Sequence, residues 1–150
     1  MTLLKPGDPA PFFSGTDQHG NLITLNDFKG SKLVVYFYPK ANTPGCTAES
    51  CSLSDNYEAL LAQGYKVVGV SADTVKAQKS FSDKYGFPFP LIADTEKVII
   101  KAFGAWGAKK MYGKDYEGIM RYTFLIDEMG IVTRTFEKVD TKNHAQQILQ

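Results

Sequence analysis

At 150 residues and 16.6 kDa the chain has the size of one domain, long enough to bury roughly two thirds of its unfolded surface, so its two cysteines are not needed as staples. Seventeen Lys plus Arg against 16 Asp plus Glu leave a net charge of +1, which excludes a global field that recruits nucleic acid or an anionic membrane. Apolar residues at 43% and aromatics at 13% are too rich for intrinsic disorder.

No apolar run reaches the roughly 20 residues of a membrane span, and Met1-Thr2-Leu3-Leu4-Lys5-Pro6 lacks the hydrophobic stretch and cleavage site of a secretory signal. A cytoplasmic setting is expected. Thiols stay reduced there, and a nearby cysteine pair is more often catalytic or metal-binding than structural.

Along the chain, Pro6, Pro9 and Pro11 favour an extended stretch over residues 3–13, because each disfavours helix in the residue before it. Asp17-Gln18-His19-Gly20-Asn21 then separates Phe12-Phe13 from Leu22-Ile23-Thr24-Leu25 as an N-terminal β-hairpin. Asp27-Phe28-Lys29-Gly30 reads as a turn or single helical turn. The run Lys32-Leu33-Val34-Val35-Tyr36-Phe37-Tyr38 has the composition of a central strand covered on both faces, ended by Pro39.

From Thr43 a helix is expected, with Thr43 as N-cap, Pro44 at its first position and Gln63-Gly64 closing it. A second buried strand over 65–71 and a helix from Thr74 to Tyr85, ended by Gly86, follow. Leu91 to Asp94 reads as a short strand, and Thr95-Glu96 opens a helix through Phe103. Residues 121–126 and 131–136 flank Asp127-Glu128-Met129-Gly130 as an antiparallel hairpin, and residues 143–150 form a last helix. This β-α-β-α order with a terminal hairpin and helix implies one α/β domain of the thioredoxin-like kind over residues 1–150, its mixed central sheet flanked by helices.

Both cysteines lie in Pro39-Lys40-Ala41-Asn42-Thr43-Pro44-Gly45-Cys46-Thr47-Ala48-Glu49-Ser50-Cys51. Sulfur reacts as thiolate, and a free cysteine is only a few per cent ionised at neutral pH. A place in the first turn of a helix contributes about 0.3–2 kcal/mol, whereas lowering a thiol to a pKa of about 6 takes roughly 3.4 kcal/mol. A fixed cation must supply the rest for Cys46. Arg121 is the candidate, because it begins a strand that can lie beside the Tyr38 end of the central one; its guanidinium stays charged and offers several donors. The Thr43 hydroxyl can donate to a substrate oxygen while accepting elsewhere, and Pro39 and Pro44 stiffen the loop.

Cys51 raises a conflict. On a continuous helix five residues mean about 7.5 Å of rise and a rotation near 140°, beyond the reach of a disulfide at roughly 7 Å between Cα atoms. A bond between Cys46 and Cys51 therefore requires the helix to unwind. Such a pair suits a cycle in which Cys46 becomes a sulfenic acid and local unfolding lets Cys51 condense with it.

Pro39-x-x-x-Thr43-x-x-Cys46 resembles the active-site motif of peroxiredoxins, and Cys51 five positions on resembles the bacterioferritin comigratory protein, or peroxiredoxin Q, subfamily. The likeness extends through Gly7-Asp8-x-Ala10-Pro11-x-Phe13, Tyr36-Phe37-Tyr38-Pro39, Met111-Tyr112-Gly113-Lys114 and Arg121-x-Thr123-Phe124-Leu125-Ile126-Asp127. It implies a thiol peroxidase acting on hydrogen peroxide and organic hydroperoxides, with Cys46 peroxidatic, Cys51 resolving, and thioredoxin or a similar dithiol as reductant. It also implies roles for Pro39, Thr43 and Arg121, with Glu49 orienting the arginine, a monomeric state, and no metal, flavin or haem. Two departures stand out: the last helix is short, and Tyr122 occupies a position that is small in many relatives.

Other assignments compete with these. A thioredoxin-type disulfide reductase normally needs Cys-x-x-Cys, and a non-catalytic thioredoxin-fold binding module needs no activated sulfur. Zinc wants four ligands at short paired spacings, whereas His19 and His144 are isolated and read as surface residues. Trp106 and Tyr112 are candidates for lining the substrate approach or for the core, and Lys109-Lys110 for a solvated face.

Overall fold

β3 (Lys32–Phe37) and β4 (Tyr65–Ser71) take the centre of the sheet because both are runs of β-branched and aromatic residues that can be covered on either face. They pair in parallel, with Val34 opposite Val67 and Tyr36 opposite Gly69. β5 (Leu91–Ala93) continues the parallel set beyond β4. On the other side of β3 lies antiparallel β8 (Thr123–Ile126), followed by its hairpin partner β9 (Val132–Phe136). β1 (Ser14–Thr16) pairs with β5 and with β2 (Leu22–Thr24), so the seven-stranded mixed sheet runs β2-β1-β5-β4-β3-β8-β9. The computed structural model describes residues 4–111 and 113–150; Met1, Thr2, Leu3 and Tyr112 lie outside the described residues.

Strand alternation divides the core between two faces. Leu33, Val35 and Phe37 meet Phe103, Phe124 and the Ile99-Ile100 pair of α4 (Val98–Ala102). Val34, Tyr36 and Tyr38 face the other way and are covered by α1 (Pro44–Asp55), α2 (Tyr57–Ala62), α3 (Val75–Tyr85) and α5 (His144–Leu149), through Leu53, Leu60, Phe81 and Ile148. The expected thioredoxin-like arrangement, a mixed sheet between helices with an N-terminal hairpin, is the one observed. Among the described residues no helix is long and apolar enough to cross a membrane.

Four local features differ from the sequence expectation. The hairpin strands begin at Ser14 rather than Phe12, because the buried Asp17 carboxylate accepts from the His19 and Asn21 amides and sets a tighter turn. The helix after Thr43 is not continuous to Gln63. It breaks at Asn56, whose side chain donates to the Ser52 carbonyl and competes with the helical ladder. α4 starts at Val98 rather than Thr95, since Asp94 caps it through the Val98 and Ile100 amides and Lys97 turns the chain at φ 62°. Residues 106–119, given no element from sequence, form a separate antiparallel pair, β6 (Trp106–Met111) and β7 (Lys114–Ile119). Its charged composition hid the strands, and Met120 N–H to Ala105 O at 2.7 Å ties it to the body.

Gly69 is required by packing rather than by backbone conformation. A Cβ there would lie 2.8 Å from both Tyr36 Cζ and Leu91 Cδ2. The Tyr36 ring crosses this gap to bring its hydroxyl 2.8 Å from Ser50 Oγ on α1. Gly69→Ala is therefore expected to destabilise the protein by about 1–3 kcal/mol through overpacking, read as a lowered urea midpoint at unchanged m-value.

Candidate active site

The chain leaves β3 at Tyr38 and Pro39, at the carboxyl end of the parallel strands where open α/β sheets place their ligand crevices. Asn42 takes a left-handed φ of 63°, a conformation that Asn tolerates, and turns the backbone into α1. The loop is fixed from the sheet side: Ala41 N–H donates to Asp73 Oδ2 at 2.8 Å, and the Ser71 hydroxyl donates to the same oxygen at 2.6 Å. Pro44 occupies the start of α1, and Thr47 N–H to Thr43 O at 2.8 Å is its opening turn bond. The Gly45 and Cys46 amides precede that bond and belong to the N-terminal group that a helix leaves without internal partners.

Thr43 sits at the N-cap in extended conformation, but its side chain does not cap the helix. Its hydroxyl donates instead to Lys40 O at 2.8 Å. The proton is committed to the loop, and the oxygen keeps its accepting capacity.

Cys46 is fully buried, as are Glu49, Ser50 and Leu53, the inward face of α1 at helical spacing. The antiparallel register of β3 and β8 continues as Phe37 N–H to Tyr122 O at 2.9 Å, so Arg121 arrives beside the Tyr38 end of β3. Its Nη1 donates both to Cys46 Sγ at 3.5 Å and to Glu49 Oε1 at 3.0 Å. Gly45 makes room for this approach, since a Cβ there would lie 3.1 Å from Arg121 Nη2.

Electrostatics follow from this crowding. Burial opposes the Arg121 charge, yet the Cys46 sulfur and the Glu49 carboxylate outweigh it and raise the guanidinium above its ordinary value. Burial also pushes the Glu49 carboxyl up from 4.5 to about 7, against the opposite pull of the Arg121 charge and hydrogen bond. Lys109 on β6 is lowered by burial and by Arg121, with the Cys46 sulfur acting in the opposite direction. It is half-buried and within the field of the site, rather than part of a solvated face.

Cys51 lies on the same unbroken α1 and is partly buried; both cysteines are free thiols. Burial raises its pKa above the ordinary 9.0, and Asp55 adds to the shift. Cys46, Glu49, Thr43, Pro39 and Arg121 are thus gathered at one end of the sheet, with Cys51 farther along the helix. Trp106 packs against the first core face, its indole N–H donating to Glu117 Oε2 at 3.0 Å, while Tyr112 lies outside the described residues. Tyr122 packs edge-on to Phe124. A surface groove lined by Phe28, Leu33, Ile126 and Met129 sits at the other end of β3, away from the sulfur.

Three features escaped the sequence reading. His144, expected at the surface, is fully buried beside Glu49, because α5 folds back onto α1; His19 is exposed. Asp73 is remote in sequence from the loop that it anchors, and nothing local signalled it. Gly45, the immediate neighbour of Cys46, was legible as a small residue at the helix start, but only the position of Arg121 shows its use.

Residues 6–135 match the AhpC/TSA family. Peroxiredoxin Bcp of Escherichia coli K12 is 43% identical over 99% of this chain and 96% of its own length. The bacterioferritin comigratory protein of Xanthomonas campestris, solved in work on its alkyl peroxide reduction activity, superposes with a TM-score of 0.87 at 37% identity, covering 99% of this chain and 94% of that one. A cysteine-to-serine variant of the Xylella fastidiosa peroxiredoxin Q gives 0.92 at 33% identity, covering 99% and 95%. With a buried cysteine at a helix start, an arginine donating to its sulfur, and this likeness along nearly its whole length, the chain belongs to the AhpC/TSA family and is a peroxiredoxin of the bacterioferritin comigratory protein, or peroxiredoxin Q, type.

Proposed function

We propose that this peroxiredoxin reduces hydrogen peroxide and alkyl hydroperoxides through Cys46, resolves the oxidised sulfur with Cys51, and is recycled by thioredoxin or a similar dithiol. The observation that carries the reading is the Arg121 Nη1 donor 3.5 Å from a fully buried Cys46 Sγ at the start of α1. A guanidinium donor to an anionic sulfur is a charge-assisted hydrogen bond worth about 1.5–3 kcal/mol, which adds to the about 0.3–2 kcal/mol of the helix end. The activity described for the Xanthomonas campestris relative supports the substrate class. The reading includes a monomer in a reducing cytoplasm, where dithiols are maintained.

In the first step the Cys46 thiolate attacks the terminal oxygen of the hydroperoxide. An S–O bond forms as the O–O bond breaks, and the departing alkoxide takes up a proton to leave as alcohol, or as water from hydrogen peroxide. Negative charge spreads over both oxygens, where Arg121 and the Gly45 and Cys46 amides act as preorganised donors. The Thr43 oxygen, its own proton held by Lys40 O, accepts from the hydroperoxide O–H and orients it. Arg121 is partly exposed while the sulfur is not, so the substrate approaches past the guanidinium.

In the second step the Cys51 sulfur attacks the sulfenic sulfur, an S–S bond forms and water leaves. Both cysteines lie on continuous α1, so its first turns must open before this step. The Tyr36–Ser50 contact and the Arg121–Glu49 pair resist that opening. Thiol–disulfide exchange with the external dithiol then restores both thiols.

Cys46→Ser is expected to abolish peroxide-dependent oxidation of reduced thioredoxin; retained turnover would refute the assignment. Cys51→Ala should still consume one equivalent of peroxide, seen by mass spectrometry as a single added oxygen on Cys46, whereas the parent chain shows an intramolecular Cys46–Cys51 bond. Gly45→Ala, which crowds Arg121 Nη2, should slow Cys46 oxidation by about tenfold to a hundredfold, the equivalent of losing one charge-assisted hydrogen bond. Stopped-flow measurement of the second-order rate constant would check this.

A further inference from the structure

The two oxygens of Glu49 have unequal surroundings. Oε1 accepts from Arg121 Nη1, while Oε2 is buried and accepts from no hydrogen-bond donor among the described residues. It faces His144 Nε2 at 3.8 Å, and both side chains are fully buried. That distance allows an ion pair and is too long for a direct hydrogen bond.

The hydrogen bonds around His144 fix its tautomer. Gln147 Oε1 accepts from the Asp140 amide at 3.0 Å, which identifies that atom as the amide oxygen. The same oxygen lies 2.8 Å from His144 Nδ1, so Nδ1 carries a proton and donates to it. In the neutral ring Nε2 is then a lone pair, which accepts from the Thr123 hydroxyl at 2.8 Å. A carboxylate oxygen would face this lone pair at 3.8 Å, an arrangement that places two buried acceptors together with no donor to Oε2 among the described residues.

We infer that Glu49 and His144 hold one proton between them, and that His144 is thereby a positioning residue, setting through Glu49 how much of the Arg121 charge reaches Cys46. The inference rests on the proposed role of Cys46 and Arg121. With the proton on Glu49 Oε2 the carboxyl is neutral, and the guanidinium is left to the sulfur and to substrate. Once the pair loses its proton, the carboxylate claims that charge and peroxide reduction is disfavoured.

The surroundings favour the carboxyl as the holder. Burial raises Glu49 to about 7 and lowers His144, with Arg121 lowering both. The other titratable groups facing the pair are Cys46 on α1, Tyr36 on β3 and Asp140 ahead of α5, the last of which raises His144. The Phe136 ring packs edge-on to the imidazole and keeps water from that side.

The test is infrared spectroscopy of the reduced protein together with the pH dependence of Cys46 oxidation by hydrogen peroxide. A protonated-carboxyl C=O band, absent from Glu49→Gln, should titrate near 7, and the oxidation rate should carry a step at the same pH. In His144→Gln the new amide N–H donates to Oε2, and both the band and the step move down by about one pH unit, a tenfold change in proton affinity. Thr123→Val removes the hydroxyl that occupies Nε2, and it should move both upward; this variant serves if His144→Gln does not fold. A Glu49 band that neither variant moves, or no such band, overturns the shared proton while leaving the peroxidase assignment standing. Failure of wild-type Cys46 to react with peroxide overturns the assignment instead, and the infrared titration still decides the pair.

Discussion

One nitrogen carries two demands in this protein: Arg121 Nη1 donates to the Cys46 sulfur and to the Glu49 carboxylate at once. Both acceptors stand on the inward face of α1, three residues apart, so the guanidinium grips a full helical turn rather than a single atom. The register of β8 on β3 delivers the arginine, and the absence of a side chain at Gly45 lets it close over the helix start. Losing any of these parts leaves a buried sulfur or a buried carboxyl without its positive partner, which is costly in a region shielded from water.

α1 serves two states that conflict. As a continuous helix it presents the Cys46 sulfur to the arginine and keeps Cys51 about 7.5 Å farther along the axis. The proposed disulfide demands that the same turns come apart. The bonds that hold the helix down, Tyr36 to Ser50, Ala145 N–H to Ser52 and Arg121 to Glu49, are few and discrete. This suits a segment that opens locally while the sheet beneath stays packed. The rigid counterpart is the loop before it, held by Asp73 and turned by Asn42.

Much of this was legible along the chain. Strand runs at 32–38 and 65–71, Pro44 at a helix start and Gly86 at a helix end are local signals, and they placed the corresponding elements within a residue or two. The β6–β7 hairpin was missed because its strands are charged and carry no clear alternation. Helix breaks and starts at Asn56 and Asp94 were missed because side-chain-to-backbone bonds, rather than hydrophobic period, decided them. His144 was misplaced because an isolated histidine in a polar stretch has no period of its own, and its burial depends on α5 packing against α1.

From its residues alone the chain determines two cysteines beside a helix start, the spacing that forbids their bonding on an intact helix, and the alternating order of strands and helices. These are properties of neighbours within a few positions, where propensity, capping and rise per residue act directly. Only the tertiary structure decides that Arg121, 75 residues from Cys46, donates to its sulfur. It alone also turns the Thr43 proton toward Lys40 and brings His144 against the buried second oxygen of Glu49. The reason is physical: such contacts depend on strand register and helix packing, which juxtapose residues far apart along the chain and set, by burial, how strongly their charges are felt.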